Sequence, residues 1–199
     1  DEDGENTDSA PADDAEKKDE APAEDGEKKD EAPAEGEEKK DEAAPKFTDV
    51  AADSPFAAAI DWAVAGGITL GTTETTFGPG NTCSISNILT FLWRANGKPG
   101  AAEGVSDRDS AAKWAVEQKL IAEGQDVSAP CTRVMAVGFM WGVAGKPEVE
   151  AELSFTDVDK DADYAGAVAW AVDQKITSGT SETTFSPDNT CTRGQIVTF

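Results

Sequence analysis

From residue 47 to residue 199, apolar residues return in short bursts at helical spacing, separated by loops rich in Gly, Thr and Pro. Phe56, Ile60, Ala63 and Val64 share one stripe and predict a helix. Ser54 stands ahead of it as N-cap with Pro55 at the first helical position, and Gly66-Gly67 stops it. Tyr164, Val168, Ala171 and Val172 repeat the stripe further along. Each stripe leads into a Gly- and Thr-rich loop with one large apolar anchor, Phe77 or Phe185, and then into a second helix. At that second helix Thr192 is the N-cap, Gln195 completes a capping box, and Cys191 and Ile196 occupy the staple positions around it. The equivalents are Ser84, Asn87, Cys83 and Ile88 in one copy, and Thr132, Met135, Cys131 and Ala136 in another. The three cysteines therefore have a structural role as small apolar staples.

The pattern is a repeat. Residues 47–91 laid on 155–199 at a constant offset of 108 are identical at 25 of 45 positions without a gap. "FTDV" at Phe47 meets "FTDV" at Phe155, and "TETTF" at Thr73 meets "SETTF" at Ser181. A weaker copy lies between, where "PCTRVMAVGFMWGVAGKP" from Pro130 follows "TCSISNILTFLWRANGKP" from Thr82 at an offset of 48. The middle copy is shortened before its first helix and has no counterpart of the "TETTFGPG" loop. Three helix-loop-helix units follow, at 47–98, 101–146 and 154–199. In the first, the second helix runs on from Phe91 through "LWRANG"; the third stops at Phe199, so about two turns are expected to be missing there.

Composition changes the picture for the first 46 residues. They hold 20 of the 40 acids and 7 of the 17 bases, with no aromatic residue and no Val, Ile or Leu. Such a segment buries too little apolar area to offset the entropy of ordering, so disorder is expected. An "EKKDEAPAE" unit recurs within it, and the Pro residues and net charge of -13 (7 − 20) predict an extended, self-repelling spacer. Residues 47–199 carry 20 acids against 10 bases and all five Trp, enough chain for one core. That acidity excludes nucleic acid as the main partner, and no run is long enough for membrane insertion. The chain begins at Asp1 without Met, which fits a processed or excerpted product.

"FTDV…W…GI…G…F.P…CTR" followed by an amphipathic helix resembles the S-layer homology family, whose second helix usually opens Ile-Thr-Arg-Ala-Glu. The resemblance covers all three units. It implies a mainly α fold in which three helix-loop-helix repeats pack into one monomeric pseudo-threefold module. It also implies a non-enzymatic, cofactor-free anchor at the extracellular cell wall or S-layer. Its partner would be a secondary cell-wall polysaccharide, often pyruvylated, or peptidoglycan, bound in grooves between repeats. Carried over residue by residue, the ligand-binding positions are Arg133 and Arg193 with Thr132 and Thr192 beside them, and Asp49 and Asp157 of "FTDV". In the first unit the arginine position is Ile85, and the family glutamate is replaced by Asn87, Met135 and Gln195.

Each position also has a plainer reading. An Arg in the first turn of a helix opposes the dipole, which makes sense if it and the exposed turn N–H groups meet an anion together. Otherwise it is a surface Arg paired with an acid such as Asp157 or Asp188. Asp49 and Asp157 either accept sugar hydroxyls or cap a turn. Trp62, Trp114 and Trp170 on the first helices, with Trp93 and Trp141 on the second, are expected in the core for the most part. "DVDKDAD" from Asp157 imitates a calcium loop but has Ala162 and Val168 where an EF-hand needs Gly and Glu. Cysteine spacings of 48 and 60 match no zinc pattern, which leaves no metal site expected beyond a three-thiolate cluster on the symmetry axis. No His and no nucleophile motif is present. The alternative function is a surface or secreted structural module whose repeats no longer bind glycan and instead mediate protein contacts.

Overall fold

The computed structural model describes residues 47–150 and 152–199. Contacts divide the chain into Asp1–Glu42 and Ala43–Phe199, and every described residue belongs to the second unit. The acidic spacer expected at 1–46 lies outside the described residues. The described residues form six helices: α1 (Ala57–Ala65), α2 (Ile85–Ala95), α3 (Asp107–Glu117), α4 (Arg133–Val143), α5 (Ala165–Asp173) and α6 (Arg193–Thr198). Among the described residues there is no strand, only three isolated bridges, so the chain is mainly α as expected.

The helix starts follow the sequence chemistry at every second helix. Ser84 and Thr192 close capping boxes with Asn87 and Gln195, and Thr132 caps α4 by accepting the Met135 N–H at 3.4 Å. The first helix departs from expectation. It begins at Ala57 rather than behind Ser54, because Ser54 caps a turn instead: its carbonyl accepts the Ala57 N–H at 3.0 Å and its hydroxyl the Phe56 N–H at 3.3 Å. Gly67, at φ 68°, leaves the helix in the left-handed region that glycine enters without strain.

The helices pair between units rather than within them. α2 packs on α3, α4 on α5, and α6 on α1. The backbone at the cysteines closes a ring of three hydrogen bonds. Cys83 N–H donates to Cys191 O at 2.9 Å, Cys191 N–H to Cys131 O at 2.9 Å, and Cys131 N–H to Cys83 O at 2.8 Å. All three side chains are fully buried with free thiols. Burial pushes the Cys83 thiol up to about 12 and the Cys191 thiol up to about 11, and it raises Cys131 further, with the other two cysteines adding to the effect. These are neutral apolar staples, and among the described residues no group of Cys, Asp and Glu is placed to hold a metal ion.

Two apolar clusters carry the core, one centred on Ile60, Phe77, Ile88, Leu89 and Trp93, the other on Val137, Val168 and Phe185. Trp93, Trp114 and Trp170 are buried and Trp141 is half-buried, in line with the core reading. Trp62 is the exception at 65% exposed.

Candidate functional site

The loop after α1 and the loop after α5 are each built around a phenylalanine. Phe77 and Phe185 are fully buried against Phe47 and Phe155, ring centroids 5.6 and 5.9 Å apart. The "FTDV" aspartates hold the loops in place. Asp49 accepts the Phe77 N–H at 2.8 Å and the Gly78 N–H at 2.7 Å, and Asp157 accepts the Phe185 N–H at 2.9 Å and the Ser186 N–H at 2.7 Å. Burial works to raise both carboxyls, but these N–H bonds outweigh it and hold them below the ordinary carboxylate value. Each loop folds back so tightly that a Cβ at Gly71 would stand 2.6 Å from Phe47 Cε1, and one at Gly179 2.6 Å from Phe155 Cε1.

Arg133 and Arg193 are the first residues of α4 and α6, yet they are not surface residues; only 5% and 9% of each is exposed. Arg193 reaches from α6 into the loop of the first unit. Its Nε donates to Phe77 O at 3.1 Å and its Nη2 to Leu70 O at 2.8 Å, and its guanidinium carbon lies 4.6 Å from the Phe77 ring and 5.6 Å from Phe91. Arg133 reaches from α4 into the loop of the third unit in the same way. Its Nε donates to Phe185 O at 2.8 Å and its Nη2 to Thr177 Oγ1 at 3.1 Å, between the rings of Phe185 and Phe199 at 4.9 and 5.2 Å. Neither pairs with an acid among the described residues; the ion pairs there are Arg94 and Lys98 with Asp107, and Lys113 with Glu117. Burial lowers both arginine pKa values, with nearby Cys191 and Asp157 opposing it at Arg133 and Cys83 at Arg193.

The helix-start N–H groups are committed as well. Arg133 N–H donates to Asn189 O at 2.8 Å and Val134 N–H to Pro187 O at 3.0 Å; Arg193 N–H donates to Asn81 O and Gly194 N–H to Pro79 O, both at 2.9 Å. The third N–H of each helix goes to its Thr132 or Thr192 cap. The expected meeting of an anion with these N–H groups is thus ruled out by geometry: the neighbouring unit's loop carbonyls already occupy them. The third seam explains the missing cation. Ile85 N–H donates to Ala129 O at 3.0 Å and Ser86 N–H to Val127 O at 2.8 Å, but the loop it faces is the shortened one, without a phenylalanine. Ile85 packs there in the same apolar cluster as Ile121.

Two grooves open beside the arginines. One, about 260 Å³, is lined by Thr69, Leu70, Gly71, Arg94, Asp107, Arg108 and Arg193 among others. The other, about 400 Å³, is lined by Arg133, Lys175, Thr177, Ser178, Gly179 and Phe199 among others. Together they gather five of the ten basic residues between 47 and 199, Arg94, Arg108, Arg133, Lys175 and Arg193, against one acid, Asp107. That acid is already held by Arg94 Nε at 2.8 Å and Lys98 Nζ at 3.6 Å, which with burial opposing keeps its carboxyl low. In a unit with twice as many acids as bases, this is a marked local reversal of sign. Arg94, Arg108 and Lys175 carry no motif, and only the packing between units brings them beside the arginines. Thr132, Thr192, Asp49 and Asp157 are turned to caps and loop clamps.

No helix among the described residues is long and apolar enough to cross a membrane. No curated protein matched the sequence. The S-layer homology domain profile matches residues 46–84 and 154–197. Domains of this kind are non-catalytic modules that anchor proteins at the cell wall, and they occur in cell-surface and S-layer-associated proteins. The two matches support the S-layer homology family for this chain, which is similar to that domain at residues 46–84 and 154–197.

Proposed function

We propose that residues 47–98, 101–146 and 154–199 are three repeats of one pseudo-threefold anchor, and that its two cationic grooves bind an anionic cell-wall polysaccharide. The observation that carries this reading is the charge reversal: half the basic residues of an acidic unit line the two grooves, against a single acid already paired. A carboxylate-bearing sugar, such as a pyruvate ketal, meets that field favourably while most of the surface repels it. The buried arginines supply positive potential from the groove floor; Arg108 and Lys175, both exposed, supply mobile direct donors. Asn87 in one groove and Ser178 in the other provide polar lining for sugar hydroxyls. Two sites rather than three are expected, because Ile85 puts an apolar side chain where the third guanidinium would stand.

The test is co-sedimentation with cell-wall sacculi, native and acid-stripped of secondary polymer. Pelleting with native sacculi alone, weakened by added salt as a contact with charged polymer must be, supports the anchor. Equal recovery with and without polymer sinks it. A second reading has its own observation: Arg133 and Arg193 use Nε and Nη2 on the neighbouring loop, so their retention is explained by folding alone. On that reading the repeats mediate protein contacts, and no sacculus fraction pellets the protein.

A further inference from the structure

The loops beside Arg193 and Arg133 follow the same backbone course. Thr72 N–H donates to Thr76 O at 2.8 Å in one, and Thr180 N–H to Thr184 O at 2.8 Å in the other. At the offset of 108 they differ in two places that bear on the grooves: Leu70 corresponds to Ser178, and Gly67 to Lys175. Gly67 at φ 68° and Lys175 at φ 60° both stand in the left-handed region, which glycine enters freely and lysine only with strain. The third unit's loop thus sets an ammonium and a hydroxyl at its groove, Lys175 and Ser178, both exposed. In the equivalent place the first loop sets a leucine that is 62% exposed.

Leu70 is held on both sides. Thr69 before it is buried, Gly71 after it leaves no room for a Cβ, which would stand 2.6 Å from Thr76 O, and Leu70 O itself accepts Arg193 Nη2 at 2.8 Å. The groove wall therefore offers an apolar surface already ordered, and contact with it costs a ligand little further entropy. The cation beside it keeps a free donor. Arg193 Nε and Nη2 are engaged, whereas Nη1 bonds nothing among the described residues; no buried side-chain nitrogen or oxygen there lacks a partner, so Nη1 reaches solvent. A free guanidinium nitrogen and a fixed leucine in one groove suit an anion and an alkyl group carried together. Resting on the reading that the grooves bind an anionic polysaccharide, we propose that Leu70 makes the Arg193 groove selective for carboxylates with a methyl group on the carbon that bears the charge. The Arg133 groove, with Lys175 and Ser178 in the equivalent places, lacks that selectivity, so the two grooves read different substituents.

The experiment titrates the isotope-labelled full chain with two methyl glucosides, one carrying a cyclic carboxyethylidene acetal and the other its carboxymethylidene analogue, which differ by one methyl. Amide shifts at Leu70 and Gly71 report the Arg193 groove, and those at Ser178 and Gly179 the Arg133 groove. The expected result is about fourfold tighter binding of the methyl-bearing sugar at Leu70 and Gly71, the worth of taking one methyl out of water, and no preference at Ser178 and Gly179. Leu70→Ser removes the preference and keeps the affinity for the methyl-free sugar, while Ser178→Leu confers the preference on the second groove. Equal binding of the two sugars at Leu70 and Gly71 overturns the proposal and leaves the anion reading standing, as does a preference that survives Leu70→Ser. Silence of all four amides toward both sugars overturns the anion reading and the proposal with it.

Discussion

Replacing Arg193 by Met removes the fork that ties α6 to the loop of the first unit while keeping apolar volume. Two charged-donor hydrogen bonds are lost, one to Phe77 O at 3.1 Å in the interior and one to the part-buried Leu70 O at 2.8 Å. Such bonds contribute about 1.5–3 kcal/mol each, and stacking over Phe77 and Phe91 adds about 0.5–2 kcal/mol for a desolvated cation. Removing the guanidinium also removes its burial cost and leaves Met to pack against the rings, which recovers part of the sum. The expected net loss is about 3 kcal/mol. With a urea slope near 2 kcal/mol/M for a unit of this size, the unfolding midpoint falls by about 1.5 M. Arg193→Lys keeps the charge but not the two-pronged geometry and should lose roughly half as much. The assay is urea unfolding followed by far-UV circular dichroism and tryptophan emission. A change in Arg193→Met below about 0.5 kcal/mol, the range of ordinary surface substitutions, refutes the clamp.

Three other outcomes follow from the same geometry. Ile85→Arg buries a cation opposite the loop that offers no phenylalanine, and it should cost about 3–5 kcal/mol by urea titration; a neutral result means the seam can accept a charge. Because Asp49 and Asp157 titrate below the ordinary value in the folded state, their stabilisation is present above about pH 4 and lost as pH falls through their lowered values. Asp49→Asn plus Asp157→Asn should therefore flatten the acid limb of the stability curve measured by thermal melts. The thiols act in the opposite direction: their folded values are raised, so stability is full below the unfolded value near pH 8.5 and declines above it. One unit higher, each thiol removes about 1.4 kcal/mol, and Cys83→Ala, Cys131→Ala and Cys191→Ala together should remove that decline from the alkaline limb.

Much of the fold was legible because its determinants are local. Capping residues at Ser84, Thr132 and Thr192, the apolar stripe around Ile60 and Ala63, and the Phe77 and Phe185 anchors each declare themselves within a few residues of the element they govern. Ser54 misled because a Ser-Pro pair serves a tight turn as well as a helix start, and the choice falls to packing around Phe56. Trp62 looked like its two counterparts in sequence, yet it is exposed where Trp114 and Trp170 are buried. The site was harder to read for the same reason. Arg133 and Arg193 find no partner nearby in the chain, since Phe185 lies 52 residues and Phe77 116 residues away, so their burial depends on packing between units. Once that packing is known, the sequence difference at Ile85 becomes intelligible: the arginine is present where the facing loop has its phenylalanine and absent where the loop is shortened. Arg94, Arg108 and Lys175 come from three different elements and carry no pattern that periodicity could pick out.

Because Arg133 and Arg193 brace the fold, substituting them confuses loss of binding with loss of structure; the exposed groove cations do not share that burden. The most direct test is therefore sacculus co-sedimentation of Arg108→Gln plus Lys175→Gln, set beside the unaltered protein and Lys113→Gln plus Lys160→Gln, which removes the same charge elsewhere. The account predicts that the groove pair loses most pelleting with native sacculi at an unchanged Tm, while the control pair pellets as before. Equal pelleting of all three proteins would contradict it.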